Sequence, residues 1–553
     1  MKRYLRPLGA SLLCGTVAVV AACSSSATST GSPGSTASSA AKNGGTITID
    51  AGTAPLSADQ GLDFTTQGTE LYSVVNTPLL TFQRGVSGVG GAKIIPGLAQ
   101  ALPTVTNGGK TYTFMLRPGL VYSNGQAIKA SDETYALERD IKIPWQAASF
   151  VSAYIAGGTA YADGKAKTIS GITTDDATGK IVVNLVAPFA PIEDIFALAG
   201  TAPVPPSTPM KNLANTGTIG DGPYMWGPIT PNQSYTLVKN PKFDVPGIPK
   251  GHANTIIFQV NTNVLANAEA VLNNQADVFD AGDTLPASII SQVQSQASDR
   301  YQEVPTNSSY YWFMAVNQKP FNNLYAREAV LAAMDDRALS RLDSGLLSPD
   351  CHLIPPGIVG GGSSPASCPF HPADGPPNMT EAKSLMQKSG MIGQPVTVYG
   401  EERAPRRQWL DYITGVLNSL GFKATEKVVN SSVYFTTIGA PTLKPQFGFG
   451  DWVQDFPNPW DFMQLFAGNA GSSLNYGYVN DPHYNSQINT LPASTPESVA
   501  SQWTALDNYA VGKAYYAVYG HQEFPKFYSD QMNFQAGVLS VEYQTDLTSL
   551  ELK

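Results

Sequence analysis

An α/β fold is the class this sequence predicts. Three observations lead there: one clear strand–helix–strand unit, alternation of strand-like and helix-like segments along the chain, and enough length and aromatic content for extensive cores. The unit lies between residues 396 and 429. Trp409, Tyr412, Ile413, Val416, Leu417 and Leu420 recur at offsets 0, 3, 4, 7, 8 and 11, which is one apolar stripe on a helix over 405–420. Gly421 stands where a helix C-cap belongs, and residues 396–399 and 423–429 flank the helix as strands, completing a βαβ unit. With 553 residues at roughly 150 per domain, three to four units or two large lobes are expected. The 7 Trp, 25 Tyr and 22 Phe supply the large side chains such cores need, which excludes a disordered chain.

The remaining elements follow in order. Residues 44–50 alternate β-branched and polar types and read as a first strand. Residues 111–116 read as another, and the turns Asn107-Gly108-Gly109, Arg117-Pro118-Gly119 and Ser123-Asn124-Gly125 around it predict a β-meander. Ser131 is expected to cap a helix whose first turn carries Asp132 and Glu133, suited to the positive helix start. Further on, 255–260 is a predicted strand, 266–273 a short helix, and 310–317 and 538–543 are strands. No repeat of 20 to 50 residues indicates a solenoid.

Charge and leader place the chain. The net charge of −9, from 43 acidic against 34 basic residues, argues against a nucleic-acid binder, because phosphate neutralisation needs a basic surplus. Lys2, Arg3 and Arg6 precede an apolar run over 8–22 that is shorter than the ~20 residues of a bilayer span, which predicts an export signal at 1–22. The run closes on Val20-Ala21-Ala22-Cys23, which resembles the bacterial lipobox, whose cysteine carries lipid after cleavage. Cys23 is therefore the expected lipidation site, and the Ser/Thr/Ala/Gly-rich segment to residue 43 a flexible tether, reaching on the order of 25 Å. The expected location is the cell membrane, anchored on its outer side. Removal of the signal leaves 31 basic against 43 acidic residues, and of the four cysteines only Cys351 and Cys368 then remain as thiols. In an exported chain these are expected to pair, closing a Pro/Gly/Ser-rich loop and stabilising by roughly 3 kcal/mol. A metal site with His352 and His371 is the rival, disfavoured because the spacings lack paired CxxC or HxxxH grammar.

Local catalytic motifs are missing: there is no HExxH, no GxSxG elbow and no GxxxxGK[ST] loop, and no metal or cofactor is expected; a Ser/His/Asp triad, whose members can lie far apart in a chain, stays open with nothing that positively indicates one. His252, His352, His371, His483 and His521 are scattered and read as surface residues. A different signal is present. Pro96-Gly97-Leu98-Ala99, residues 110–119, Tyr122-Ser123-Asn124-Gly125 and Ala130-Ser131-Asp132 resemble the signature block of the family 5 extracellular solute-binding proteins. Gly222-Pro223-Tyr224, Asn240-Pro241, Ala270-Val271-Leu272 with Asp277, Asn317 to Phe321, Ala326-Arg327-Glu328-Ala329 with Asp335-Asp336-Arg337, and Trp452 to Pro459 follow in family order, so the resemblance covers about 44–550. Asp221 and Asn124 depart from the usual Thr and Asp, and Asn273-Asn274-Gln275 lacks the usual Gly before Asp277. These touch turns rather than the fold.

The resemblance implies a two-lobed clamp of the periplasmic-binding-protein type with an extra subdomain in the first lobe. On this chain that places lobe 1 at 44–305 with the subdomain at about 84–200, lobe 2 at 306–522, and a return to lobe 1 at 523–553, the crossings falling near 304–310 and 520–528. It further implies a monomeric lipoprotein that captures oligopeptides between the lobes and passes them unaltered to an ABC transporter permease. The same clamp around a metal chelate, oligosaccharide or other small solute is one alternative, and a secreted hydrolase another. In peptide-binding members an Asp three positions after a Trp accepts the ligand's α-ammonium group, and Asp455 after Trp452 matches that place. A turn-capping carboxylate is the competing role for Asp455, and a core anchor for Trp452. Tyr310 and Trp312 are further candidate ligand contacts, with strand parity undecided. Arg327 is expected to form an ion pair within its lobe, and Arg403, Arg406 and Arg407 to make a solvated helix end.

Overall fold

The computed structural model describes residues 43–87, 91–143, 145, 147–440, 442–468, 474–542 and 544–553. The expected export signal, Cys23 as expected lipidation site, and nearly all of the expected tether lie outside them. A mixed sheet is its backbone, in the order Lys423–Val429, Pro395–Glu401, Phe447–Val453, Ser308–Met314, Tyr516–Tyr528, Val278–Phe279, Thr46–Ala51, Thr255–Val260, Ser234–Lys239 and Tyr224–Thr230. The strand Tyr516–Tyr528 holds the two halves together. Its first part pairs with Ser308–Met314, and its second part with Tyr301–Pro305 and Val278–Phe279. The chain steps between the halves a second time at Thr306 and Asn307, between two strands that both pair with Tyr516–Tyr528.

Each half buries its own faces. In the first, Ile47, Ile49 and Ala51 alternate inward along a strand parallel to Thr255–Val260, where Ile256 and Phe258 do the same. In the second, helix Arg406–Ser419 crosses between the parallel strands Pro395–Glu401 and Lys423–Val429, burying Trp409, Ile413 and Leu417 as the periodicity predicts. Gly421 takes a φ of +94°, a conformation only glycine adopts cheaply. A separate four-stranded sheet, Thr104–Thr106, Thr111–Met115, Lys180–Asn184 and Ile172–Asp175, packs with helix Ala130–Lys142, and its buried side chains are continuous with the core of the second half. Among the described residues no helix is long and apolar enough to cross a membrane.

Several expectations are corrected. The strands around 111–116 are not a simple meander: Asn107-Gly108-Gly109, all at positive φ, turns one hairpin, but Thr111–Met115 then pairs with Lys180–Asn184, beyond the intervening helix. That helix is capped from Lys129, where the Asp132 carboxylate accepts the Lys129 N–H at 3.0 Å, while Ser131 donates to Asp176 instead. Residues 538–542 form a loop with a single bridge from Leu539 to Thr545, not a strand. Arg327 is buried and donates to the carbonyls of Phe321, Lys513 and Ala514 rather than to a carboxylate.

Candidate functional site

The strand Phe447–Val453 runs antiparallel to Ser308–Met314, with Val453 opposite Ser308. Just past its end the chain is pinned twice. Gln454 accepts from Asn307 Nδ2 at 2.8 Å and donates to the Val541 carbonyl at 2.5 Å. Asn458 then caps the short helix Pro459–Met463, accepting from the Trp460 N–H. Asp455 is held between these two fixed points.

Asp461, on that short helix, is fully buried and has both oxygens engaged. One accepts the Trp452 indole N–H at 3.2 Å, the other the Asp455 backbone N–H at 2.9 Å. Trp452 thus orients Asp461, and Asp461 fixes the turn that aims Asp455. The Asp455 carboxylate is left differently: its Oδ2 is buried with no hydrogen-bond partner. Burial, then Asp461, then Glu542 push the Asp455 carboxyl well above the usual range. Burial also pushes Asp461 and Glu542 to about 7. Among the described residues, no Lys, Arg or His forms an ion pair with any of the three. A buried carboxylate group without a cation is costly, and a compact cation entering this position would relieve it through a charge-assisted hydrogen bond.

The other predicted residues fall elsewhere. Tyr310 and Trp312 share one face of a strand buried on both faces. Trp312 stacks with Phe447 and Tyr519, and Tyr310 donates to Gln522 Oε1 and packs on Trp409 at 5.7 Å. The parity question dissolves because this strand is central in the sheet. Cys351 and Cys368 are joined in a disulfide. Donor atoms of Asp350, Cys351, His352 and Cys368 cluster within 4.8 Å, but the two sulfurs are bonded to each other.

Sequence reasoning missed three features. Arg406 is no solvated helix end: its side chain is only 12% exposed, donates to Glu401 and to Asp451 (2.5 Å), and lies 4.6 Å over the Phe449 ring. The phase of the helix carried that signal, since Arg406 lies three residues before Trp409 and so on the apolar stripe. His352 and His521 are buried about Asp350, at 2.7 and 3.5 Å, rather than on the surface. Glu542 had no local signal at all. Arg403 reaches from the second half to Thr53 Oγ1 of the first, at 3.2 Å. The aromatic group of Phe150, Tyr154 and Phe189 likewise meets Phe456 and Trp460 at ring separations of 5.0 to 5.9 Å.

A sheet in two halves spanned by one long strand and a second crossing, with the candidate site at the end of a strand beside those crossings, defines a two-lobed binding protein of the periplasmic type. The solved structure of clavulanic acid biosynthesis oligopeptide binding protein 2 has this fold: it superposes with a TM-score of 0.81 at 20% identity, covering 92% of this chain and 96% of that one. The family model of bacterial extracellular solute-binding proteins, family 5 Middle, matches residues 93–473, and the chain belongs to that family. It is therefore an extracytoplasmic solute-binding protein. Its sequence is similar to the dipeptide-binding protein DppE of Bacillus subtilis, 25% identical over 68% of this chain and 69% of the relative. It is also similar to the probable deoxycholate-binding periplasmic protein YgiS of Escherichia coli, 26% identical but over about half of each chain, 46% and 48%.

Proposed function

We propose that this protein captures oligopeptides by their N-terminus and delivers them to an ABC transporter permease. Asp455 is the α-ammonium acceptor, oriented by Asp461 and Trp452. The lobes are 44–305 with 523–553, and 306–522, and ligand held between them favours the closed form by touching both. Tyr310 and Trp312 support the floor of the second lobe through its core. The protein acts as a monomer, makes no covalent change to its ligand, and is held at the outer membrane face by lipid on Cys23.

One observation carries this reading: a buried carboxylate oxygen with no partner, on a turn held rigid from both sides. Calorimetric titration with Ala-Ala-Ala and with its N-acetylated form tests it. The free peptide is expected to bind and the acetylated one to lose most affinity. Equal binding of the two rejects Asp455 as ammonium acceptor, and absence of binding by either rejects the peptide reading. Mass spectrometry of the recovered peptide, expected intact, tests the absence of hydrolysis. Release of a Cys23→Ala variant into the medium tests the anchor.

A further inference from the structure

We propose that reduction of the Cys351–Cys368 disulfide converts the cluster around it into a zinc site, with Cys351, Cys368, His352 and Asp350 as ligands and His521 behind them.

Three stretches of chain meet there. One donor atom from each of Asp350, Cys351, His352 and Cys368 lies within 4.8 Å of the others. Asp350 and His352 are buried, while both cysteines are only half-buried, so a reductant can reach the sulfurs. Asp350 is fixed in place: its Oδ1 accepts the backbone N–H of Cys351 at 2.7 Å and of His352 at 3.0 Å, and His352 Nδ1 lies 2.7 Å from the same oxygen. Cys351 Sγ lies 3.7 Å from that nitrogen. Tetrahedral zinc, with bonds of about 2.0–2.3 Å, sets its donors about 3.3–3.8 Å apart. The sulfur–nitrogen spacing already fits, and the Asp350–His352 contact has only to open slightly as the ion replaces the proton. His371, the other histidine near this pair in sequence, is engaged by the Pro372 and Leu331 carbonyls instead.

The strand Tyr516–Tyr528 supplies an independent observation. His521 Nδ1 lies 2.6 Å from the Ser308 carbonyl, which can only accept, so that nitrogen holds the ring proton. Its Nε2 is buried, has no hydrogen-bond partner and lies 3.5 Å from Asp350 Oδ2. In a neutral ring this sets a lone pair against a carboxylate in the interior, which is costly. A proton on Nε2 relieves the conflict, and so does a cation bound to the carboxylate. In the reduced chain the donor types favour the metal: two thiolates, an imidazole and a carboxylate together suit zinc, and a ring beside the ligating carboxylate gives it outer support.

The chemistry balances with a dithiol as reductant. The Cys351–Cys368 S–S bond breaks, the donor's two sulfurs join to each other, and its two protons pass to the cysteine sulfurs. Zinc then forms two Zn–S bonds and releases those two protons to solvent. The ion closes the same loop that the disulfide closes.

The test compares the folded protein before and after treatment with a dithiol that is then removed without oxygen, using zinc titration against a chromophoric chelator, cobalt(II) absorption and thermal melts. The reduced protein is expected to take up one zinc, to melt higher with zinc than without it, and with cobalt to show thiolate charge-transfer and tetrahedral bands. The oxidised protein is expected to show none of these. Equal uptake by the two forms, or none by the reduced one, overturns the inference, and that comparison needs no variant. Zinc held by reduced protein that no longer melts cooperatively also overturns it, since thiols of an unfolded chain are then the binders. In the reduced state His352→Ala should lower zinc affinity by at least about tenfold, and unchanged affinity there rejects the ligand set. Uptake that survives in a Cys351→Ser, Cys368→Ser double variant rejects the thiolates.

Discussion

Asp451 and Asp455 lie four residues apart at the end of the same strand and meet opposite fates. Asp451 receives Arg406, which also serves Glu401, so that charge is balanced within the lobe. Burial opposes the Arg406 charge, but Asp451 and Glu401 outweigh it and keep the guanidinium protonated. Asp455 has other carboxylates for company and no cation. The difference separates two largely covered acids: one completes the internal structure, and the other, on the function proposed above, receives a partner that arrives from outside. Residue type does not distinguish them. The position of the nearest cation does.

That contrast can be attacked at several points. Arg406→Ala should be the most damaging change, costing about 3–5 kcal/mol of stability, because it strands Glu401 and Asp451 in the interior; denaturant unfolding measures it. A loss below 1 kcal/mol would mean the cluster is solvated and the comparison is wrong. Asp455→Ala should instead leave the fold as stable or more so, while weakening a bound peptide by about 2–5 kcal/mol in calorimetry. Parallel losses in folding and binding would place Asp455 with Asp451 after all.

The pH dependence sharpens the same point. Burial raises Asp63 to about 6, Asp343, Asp461 and Glu542 to about 7, and Asp221 to about 8. Between roughly pH 4 and 8 the folded protein holds protons that the unfolded chain has released, so stability of the free protein should fall as pH rises through that window. Glu401 acts in the opposite sense: burial raises its carboxyl, but Arg406 and Arg403 outweigh that and lower it, so its contribution is lost only as pH falls below about 4. Thermal melts with and without peptide check this, and the stabilisation by peptide should grow toward pH 8. A free protein that becomes more stable from pH 5 to 8 would contradict it. The smallest effect belongs to Arg403→Ala. At 35% side-chain exposure its contacts with Glu401 and Thr53 should contribute under about 1 kcal/mol to folding, with scattering then expected to show a more open average shape.

How much of this was readable beforehand depended on distance along the chain. The helix over 405–420 and its glycine stop were plain, because a stripe at helical spacing and a C-cap are local facts. The Asp455 turn was singled out by the resemblance of the segment Trp452 to Pro459 to the family. The contact of the Trp452 indole with Asp461, nine residues on, is by contrast a tertiary arrangement. Arg403, Arg406 and Arg407 looked equivalent, yet one is held in a charge cluster, one reaches the other half of the molecule, and Arg407 pairs with Asp411 and Glu426 at the surface. Residues 538–543 were misread as a strand because Val538, Leu539 and Val541 have strand composition. The hydrogen bonds of 538–542 instead go to nearby loop residues and to Gln454.

By itself the sequence determined the alternation of strands and helices and the ordered motifs of the family, since each of these is written in neighbours or near neighbours. Only the tertiary structure decided which acids are balanced and which are left waiting. Charge is felt through space, and Tyr72, Asp455 and Glu542, from three distant stretches of chain, become electrostatic neighbours only in the folded molecule.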